Sequence, residues 1–142
     1  MPGRIRPHPL VSGTGDGPPS LRRLAVWVRP GGGAPDVRIE LGPLAVVLGG
    51  NRSVDIGSKP TCHIVLDTAG VAPVHAQYFR MSNHRFLRLS PLSVATARGG
   101  GTLGPGGEHR IDRSPFSIGG VELQFEEHER PIVGRWAPLE IP

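Results

Sequence analysis

Apolar residues in this chain come in short runs separated by turns, and inside the runs they alternate with polar residues instead of recurring at helical spacing. Leu24-Ala25-Val26-Trp27-Val28 is rich in strand formers. After the loop Arg29-Pro30-Gly31-Gly32-Gly33-Ala34-Pro35, Val37, Ile39 and Leu41 alternate with Arg38 and Glu40, which predicts a second strand with one wet face. Gly42-Pro43 breaks that run, and Leu44-Ala45-Val46-Val47-Leu48 is apolar throughout, predicting a strand buried on both faces. Strands are also predicted at Ser53 to Ile56, His63 to Leu66, His75 to Arg80, Arg85 to Leu89, Glu108 to Ile111 and Phe116 to Ile118. Met81-Ser82-Asn83-His84 has the length of a hairpin connection, and Ala97 to Gly107 reads as a loop or a weak edge. In the last strand Val121, Leu123 and Phe125 alternate with Glu122, Gln124 and Glu126, so one face is buried. No i, i+3, i+4 apolar stripe is sustained anywhere, which predicts essentially no helix. About ten to eleven short strands with frequent turn signals predict an all-β, two-sheet β-sandwich.

The ends differ from the middle. Residues 1–20 hold five prolines and four glycines without any periodicity and read as a flexible arm. Residues 21–128 form the expected sandwich. The tail, 129–142, regains proline yet carries Ile132, Val133, Trp136, Leu139 and Ile141, more apolar surface than a solvated tail needs. It is expected either to dock on the sandwich or to meet a partner, with Trp136 as the contact.

Composition adjusts this outline only slightly. Glycine (21) and proline (16) are frequent enough to raise the question of low complexity, but within 21–127 they punctuate apolar runs. The formal net charge is +4, Lys59 is the only lysine, and the arginines are scattered among apolar residues, so no basic stripe for nucleic acid is formed. The single cysteine, Cys62, excludes an internal disulfide and reads as a buried strand residue in a reducing, cytoplasmic compartment. The longest apolar runs are five residues, far short of the ~20 that span a bilayer, so no membrane insertion is expected. The oligomeric state is left open.

Chemistry finds little support. Gly99-Gly100-Gly101-Thr102-Leu103-Gly104 fits G-x-G-x-x-G, but Pro105-Gly106-Gly107 follows where a helix must start. Cys62, His63, His75 and His84 lack the spacing of a metal site, since adjacent strand residues face opposite ways. Cys62 has no identifiable base and orienting group, and no isolated carboxylate pair suggests acid–base work. No catalysis, metal or cofactor is expected.

Three segments resemble the forkhead-associated (FHA) domain, over roughly Leu24 to Glu127. Ile56-Gly57 followed by His63-Ile64-Val65-Leu66-Asp67 is similar to the family's Ile-Gly-Arg, loop, Asp-Ile-x-Leu-x-Asp. Val71-Ala72-Pro73-Val74-His75-Ala76 resembles its Val-Ser-Arg-x-His-Ala, and Phe116 to Phe125 its closing hairpin. The resemblance implies a sandwich that binds phosphothreonine peptides through loops at one end, with His75 bracing those loops and Gly57 as loop support. It departs at the binding residues. Ser58 stands for the arginine after the glycine, Ala72 for the phosphate-binding serine, Pro73 for the next arginine, and Gly100 or Pro105 for the asparagine that holds the peptide. Ser58, Lys59, Thr61 and Thr68 remain as candidate donors at the loop end, with Arg52 or Arg98 reaching in. The expected function is a non-catalytic protein-interaction module, a phosphate-independent adaptor or assembly subunit. The alternative is a divergent phosphothreonine-peptide reader in a Ser/Thr kinase pathway, its partner then a phosphothreonine protein.

Overall fold

A computed structural model describes residues 20–131; the expectations for the N-terminal arm and for the tail beyond Pro131, Trp136 included, lie outside the described residues. Eleven strands build two sheets. The first contains β1 (Ser20–Arg29), β2 (Val37–Pro43), β7 (Ala95–Ala97), β8 (Thr102–Leu103), β10 (Phe116–Ile118) and β11 (Val121–Pro131), in the order β2-β1-β11-β10-β7-β8. The second contains β3 (Ser53–Gly57), β4 (Ile64–Val65), β5 (Ala76–Met81), β6 (His84–Leu89) and β9 (Glu108–Arg110), in the order β4-β3-β5-β6-β9. All pairs are antiparallel except β3–β4, where Ile56 faces Ile64 and Gly57 faces Val65.

Alternation sets what is buried. Leu24 and Val26 of β1, Val54 and Ile56 of β3, Tyr78 of β5, Leu87 and Leu89 of β6, and Leu123 and Phe125 of β11 all point between the sheets. Burying each such side chain contributes about 1.5–3 kcal/mol. Tyr78 stacks on Phe125 across the two sheets at 3.6 Å between ring centroids, and Phe116 extends the aromatic row at 6.3 Å. The expected burial of Val121, Leu123 and Phe125 is observed.

One predicted strand is a helical turn. Leu44–Val47 forms α1, closed by the Leu48 amide donating to the Leu44 carbonyl at 2.9 Å. Leu44 and Leu48 are buried while Val46 is 57% exposed, so the run has helical period and only one buried side. A uniformly apolar run carries no period to read, and here tertiary burial outweighs the strand preference of Val46-Val47. Cys62 is buried as expected but sits in a bend, outside β4.

The sandwich has two poles. β3 and β5 meet at one pole around Gly57 and Ala76, where Gly119-Gly120 also joins β10 to β11. This pole, here called the apex, gathers the loops 58–63, 66–75, 90–94 and 104–107. The opposite pole, the base, carries the β5–β6 turn and a buried ion pair, in which Arg85 donates to both carboxylate oxygens of Glu127 at 2.6 and 3.0 Å.

Candidate binding site

Backbone contacts knit the apex loops together. The Ser58 amide donates to the Ala72 carbonyl at 3.0 Å and the Lys59 amide to the Pro73 carbonyl at 3.1 Å. The two positions at which the FHA resemblance expects an arginine and a serine are therefore hydrogen-bonded neighbours. Gly57 lies directly beneath this contact. A Cβ there would sit 2.1 Å from the Pro73 carbonyl oxygen and 2.9 Å from that of Ala72. Glycine is thus demanded by close backbone approach, since Gly57 is not among the residues with positive φ.

His75 is buried beside these loops and uses both ring nitrogens. The Ala72 amide donates to Nδ1 at 3.1 Å, so Nδ1 is unprotonated and Nε2 carries the proton it donates to the Val94 carbonyl at 2.8 Å. Its own carbonyl accepts from the Ser90 amide at 3.1 Å, and Ser90 Oγ donates to the Val74 carbonyl. One histidine therefore ties loop 66–75 to loop 90–94. His75→Ala leaves a buried amide and carbonyl unsatisfied. It is expected to lower stability by about 2–3 kcal/mol and to speed hydrogen exchange at the Ala72 amide, measured by NMR.

Loop 66–75 also leans on the β10–β11 turn. A Cβ on Gly119, which has φ +59°, would meet Val71 Cγ2 at 2.8 Å and Thr68 Oγ1 at 2.9 Å. Ser58, Lys59, Thr61 and Thr68 thus share the apex with Gly57 and His75, and Lys59, Thr61 and Thr68 are exposed. Lys59 has no carboxylate partner among the described residues.

Arg98 does not join them. Ala97 pairs with Phe116, which pairs with Leu123, so the 98–101 turn lies toward the base, away from Gly119-Gly120. The chain runs down β7 before it turns, which carries Arg98 and Gly100 away from the loops. Arg52 is likewise near the base, donating to the Val46 carbonyl at 3.0 Å just before β3 begins. Pro105 is the alternative that stays at the apex, where the Gly106 amide donates to the Ser90 carbonyl at 3.1 Å.

The loops around Gly57 and His75 consequently carry little charge. Within 58–63, 66–75, 90–94, 104–107 and 119–120 the permanently charged side chains are Lys59 and Asp67, which offset one another. Arg29 ends β1 at this pole but is engaged by Glu122 at 3.0 Å, Gln124 at 3.1 Å and Asp36 at 3.5 Å. The setting of Cys62 favours the neutral thiol. Burial, and then Asp55, push its thiol up, and Sγ donates to the Pro73 carbonyl at 3.2 Å.

Sequence patterns leave loop 90–94 unassigned, and it proves central. Leu92 is 96% exposed with φ +72°, next to Val94 at 48% exposure. An apolar residue between turn formers in Ser90-Pro91-Leu92-Ser93 is the signal that could have marked it.

No protein family and no curated protein matches the sequence. Solved structures do. An FHA domain from a study of phosphothreonine-dependent FHA interactions superposes with a TM-score of 0.52 at 16% identity, covering 75% of this chain and 97% of that one. The MEK1 FHA domain gives 0.54 at 15% identity, covering 74% and 89%. The FHA domain of CT664 from Chlamydia trachomatis gives 0.51 at 15% identity, covering 72% and 95%. With its two packed sheets of six and five strands and this likeness to solved structures, the chain has an FHA-like fold.

Proposed function

We propose that this chain is a non-catalytic protein-interaction module that binds its partner through the apex loops without requiring phosphate. The observation that carries this is the charge of the apex, where Lys59 and Asp67 cancel and Ser58, Ala72 and Pro73 replace the donors that the resemblance expects. A phosphothreonine brings nearly two negative charges and three acceptor oxygens. Each charge-assisted hydrogen bond is worth about 1.5–3 kcal/mol, and losing two or three removes much of the ~8 kcal/mol of a micromolar peptide complex. A neutral rim gains nothing to offset the desolvation of such a group.

The apex is favoured over the outer face of the five-stranded sheet. There Phe79 and Phe86 stack at 5.7 Å, but the Arg88 guanidinium covers Phe79 at 4.4 Å and is held by Glu108 at 3.0 Å. The partner is a protein. Adaptor or assembly work in the cytoplasm, with neither metal nor cofactor, fits this reading.

A second reading keeps one specific observation on its side: Lys59 is exposed at the apex with no carboxylate partner among the described residues, and the Ser58, Thr61 and Thr68 hydroxyls are in the same loops. It makes the chain a divergent phosphothreonine reader. Screening purified protein against a phosphothreonine peptide library separates the two. The expected result is no selection for phosphate. Binding that disappears on dephosphorylation and on Lys59→Ala would establish the second reading.

A further inference from the structure

We infer that the apex is a preformed platform for an uncharged segment of a partner protein bearing a large apolar side chain, with Leu92 as its anchoring contact. This rests on the phosphate-independent reading above and names the chemistry of the partner.

Two observations carry it. The first is that Leu92 is presented rigidly. Its φ of +72° is a conformation that costs a leucine about 1–2 kcal/mol, yet the residue is 96% exposed and buries nothing in return. The loop is held there from three sides. The Ser93 amide donates to the Ser90 carbonyl at 3.0 Å, the Gly106 amide donates to that same carbonyl at 3.1 Å, and His75 grips Val94 at 2.8 Å. An apolar side chain fixed in water in this way loses little further freedom when a ligand covers it.

The second is charge complementarity. The hydrogen-bonded block of 72–75, 90–94 and 104–107 contains no charged side chain, its one titratable group, His75, being buried. Around Leu92 and the 48%-exposed Val94 it offers the exposed Pro73, Pro91 and Pro105. The outer face of the six-stranded sheet is the opposite, laced by Arg23–Glu40 at 2.6 Å, Arg29–Glu122 at 3.0 Å and Arg38–Glu126 at 3.3 Å. A neutral apolar segment covers the block without stripping water from any charge. An acidic or phosphorylated one would give up its hydration for no partner.

The test selects from a display library of random unphosphorylated peptides on the full chain, then measures the selected peptides against two variants. Leu92→Asn suits the purpose because asparagine accepts the left-handed conformation, so thermal stability is expected to hold or rise. Selected peptides are expected to share a large apolar residue with no acidic preference, to weaken at least about tenfold on Leu92→Asn, and to be unaffected by Lys59→Ala. Phosphate-free peptides that bind Leu92→Asn equally well, or no enrichment at all, overturn this inference alone. Binding that needs phosphothreonine and Lys59 overturns both it and the function above. Two other occupants are checked in the same samples. Leu92→Asn turning a dimer into a monomer in sedimentation would assign the platform to a second copy. Trp136→Ala shifting the amide resonances of 90–94 without peptide would assign it to residues 132–142. Either result overturns the inference.

Discussion

Gly57→Ala is expected to be among the most damaging single substitutions in this chain, costing at least about 3 kcal/mol and lowering the melting temperature by roughly 10–20 °C. The added methyl would lie 2.1 Å from the Pro73 carbonyl oxygen and 2.7 Å from its carbon. Neither can retreat freely, because the Lys59 amide holds that carbonyl at 3.1 Å and the Ser58 amide holds the one before it at 3.0 Å. Relief requires moving loop 66–75 off the end of β3, which also pulls on His75. Gly120→Ala is the control. Its φ is +83° but nothing lies within 4 Å of its Cβ, so only the backbone conformation is charged against it, about 1–2 kcal/mol. Melts followed by circular dichroism should rank the two in that order. Equal losses would mean that the close approach at Gly57 is not what fixes the apex.

The second large effect lies at the base. Arg85 and Glu127 are 13% and 5% exposed, joined by two hydrogen bonds at 2.6 and 3.0 Å, with Arg22 at 3.5 Å from the same carboxylate. Removing one partner of a buried pair strands the other, at a cost of about 3–5 kcal/mol. Glu127→Ala is therefore expected to lose that much in denaturant titration. The double replacement Arg85→Met with Glu127→Leu should lose clearly less, because it leaves no buried charge behind. A double variant as unstable as Glu127→Ala would mean that packing, not the stranded charge, sets the cost.

The second effect could not be read from the chain before folding. Glu127 follows an alternating strand as one more acid, and Arg85 opens another strand 42 positions earlier. Only the meeting of the two sheets at the base pairs them. What the sequence does carry is period. Val121, Leu123 and Phe125 declare their buried face because polar residues separate them. Leu44 to Leu48, with no polar residue between, declares nothing, and its helical turn follows from which side chains the sandwich can cover. Gly57 and His75 stand in ordered motifs whose positions survive in the chain, so the apex was legible from them. Its membership was not. Arg98 falls away because β7 runs toward the base before turning. Leu92 enters through its left-handed backbone, and the one sequence signal for it, an apolar residue among the turn formers Ser90, Pro91 and Ser93, is shared by many loops and does not reveal that conformation.

The charge of the apex bears on function most directly. Among the described residues seven arginines have carboxylate partners, one of them Arg29 at the apex end of β1 and the other six on the sheet faces or toward the base, and none of the seven lies in the loops around Gly57 and His75. The decisive measurement is calorimetric titration of a binding peptide that contains threonine, synthesised with and without phosphate on that threonine. Equal affinity within about threefold, unchanged by Lys59→Ala, is the predicted result. A tenfold or greater loss without phosphate, reproduced by Lys59→Ala, would contradict the account.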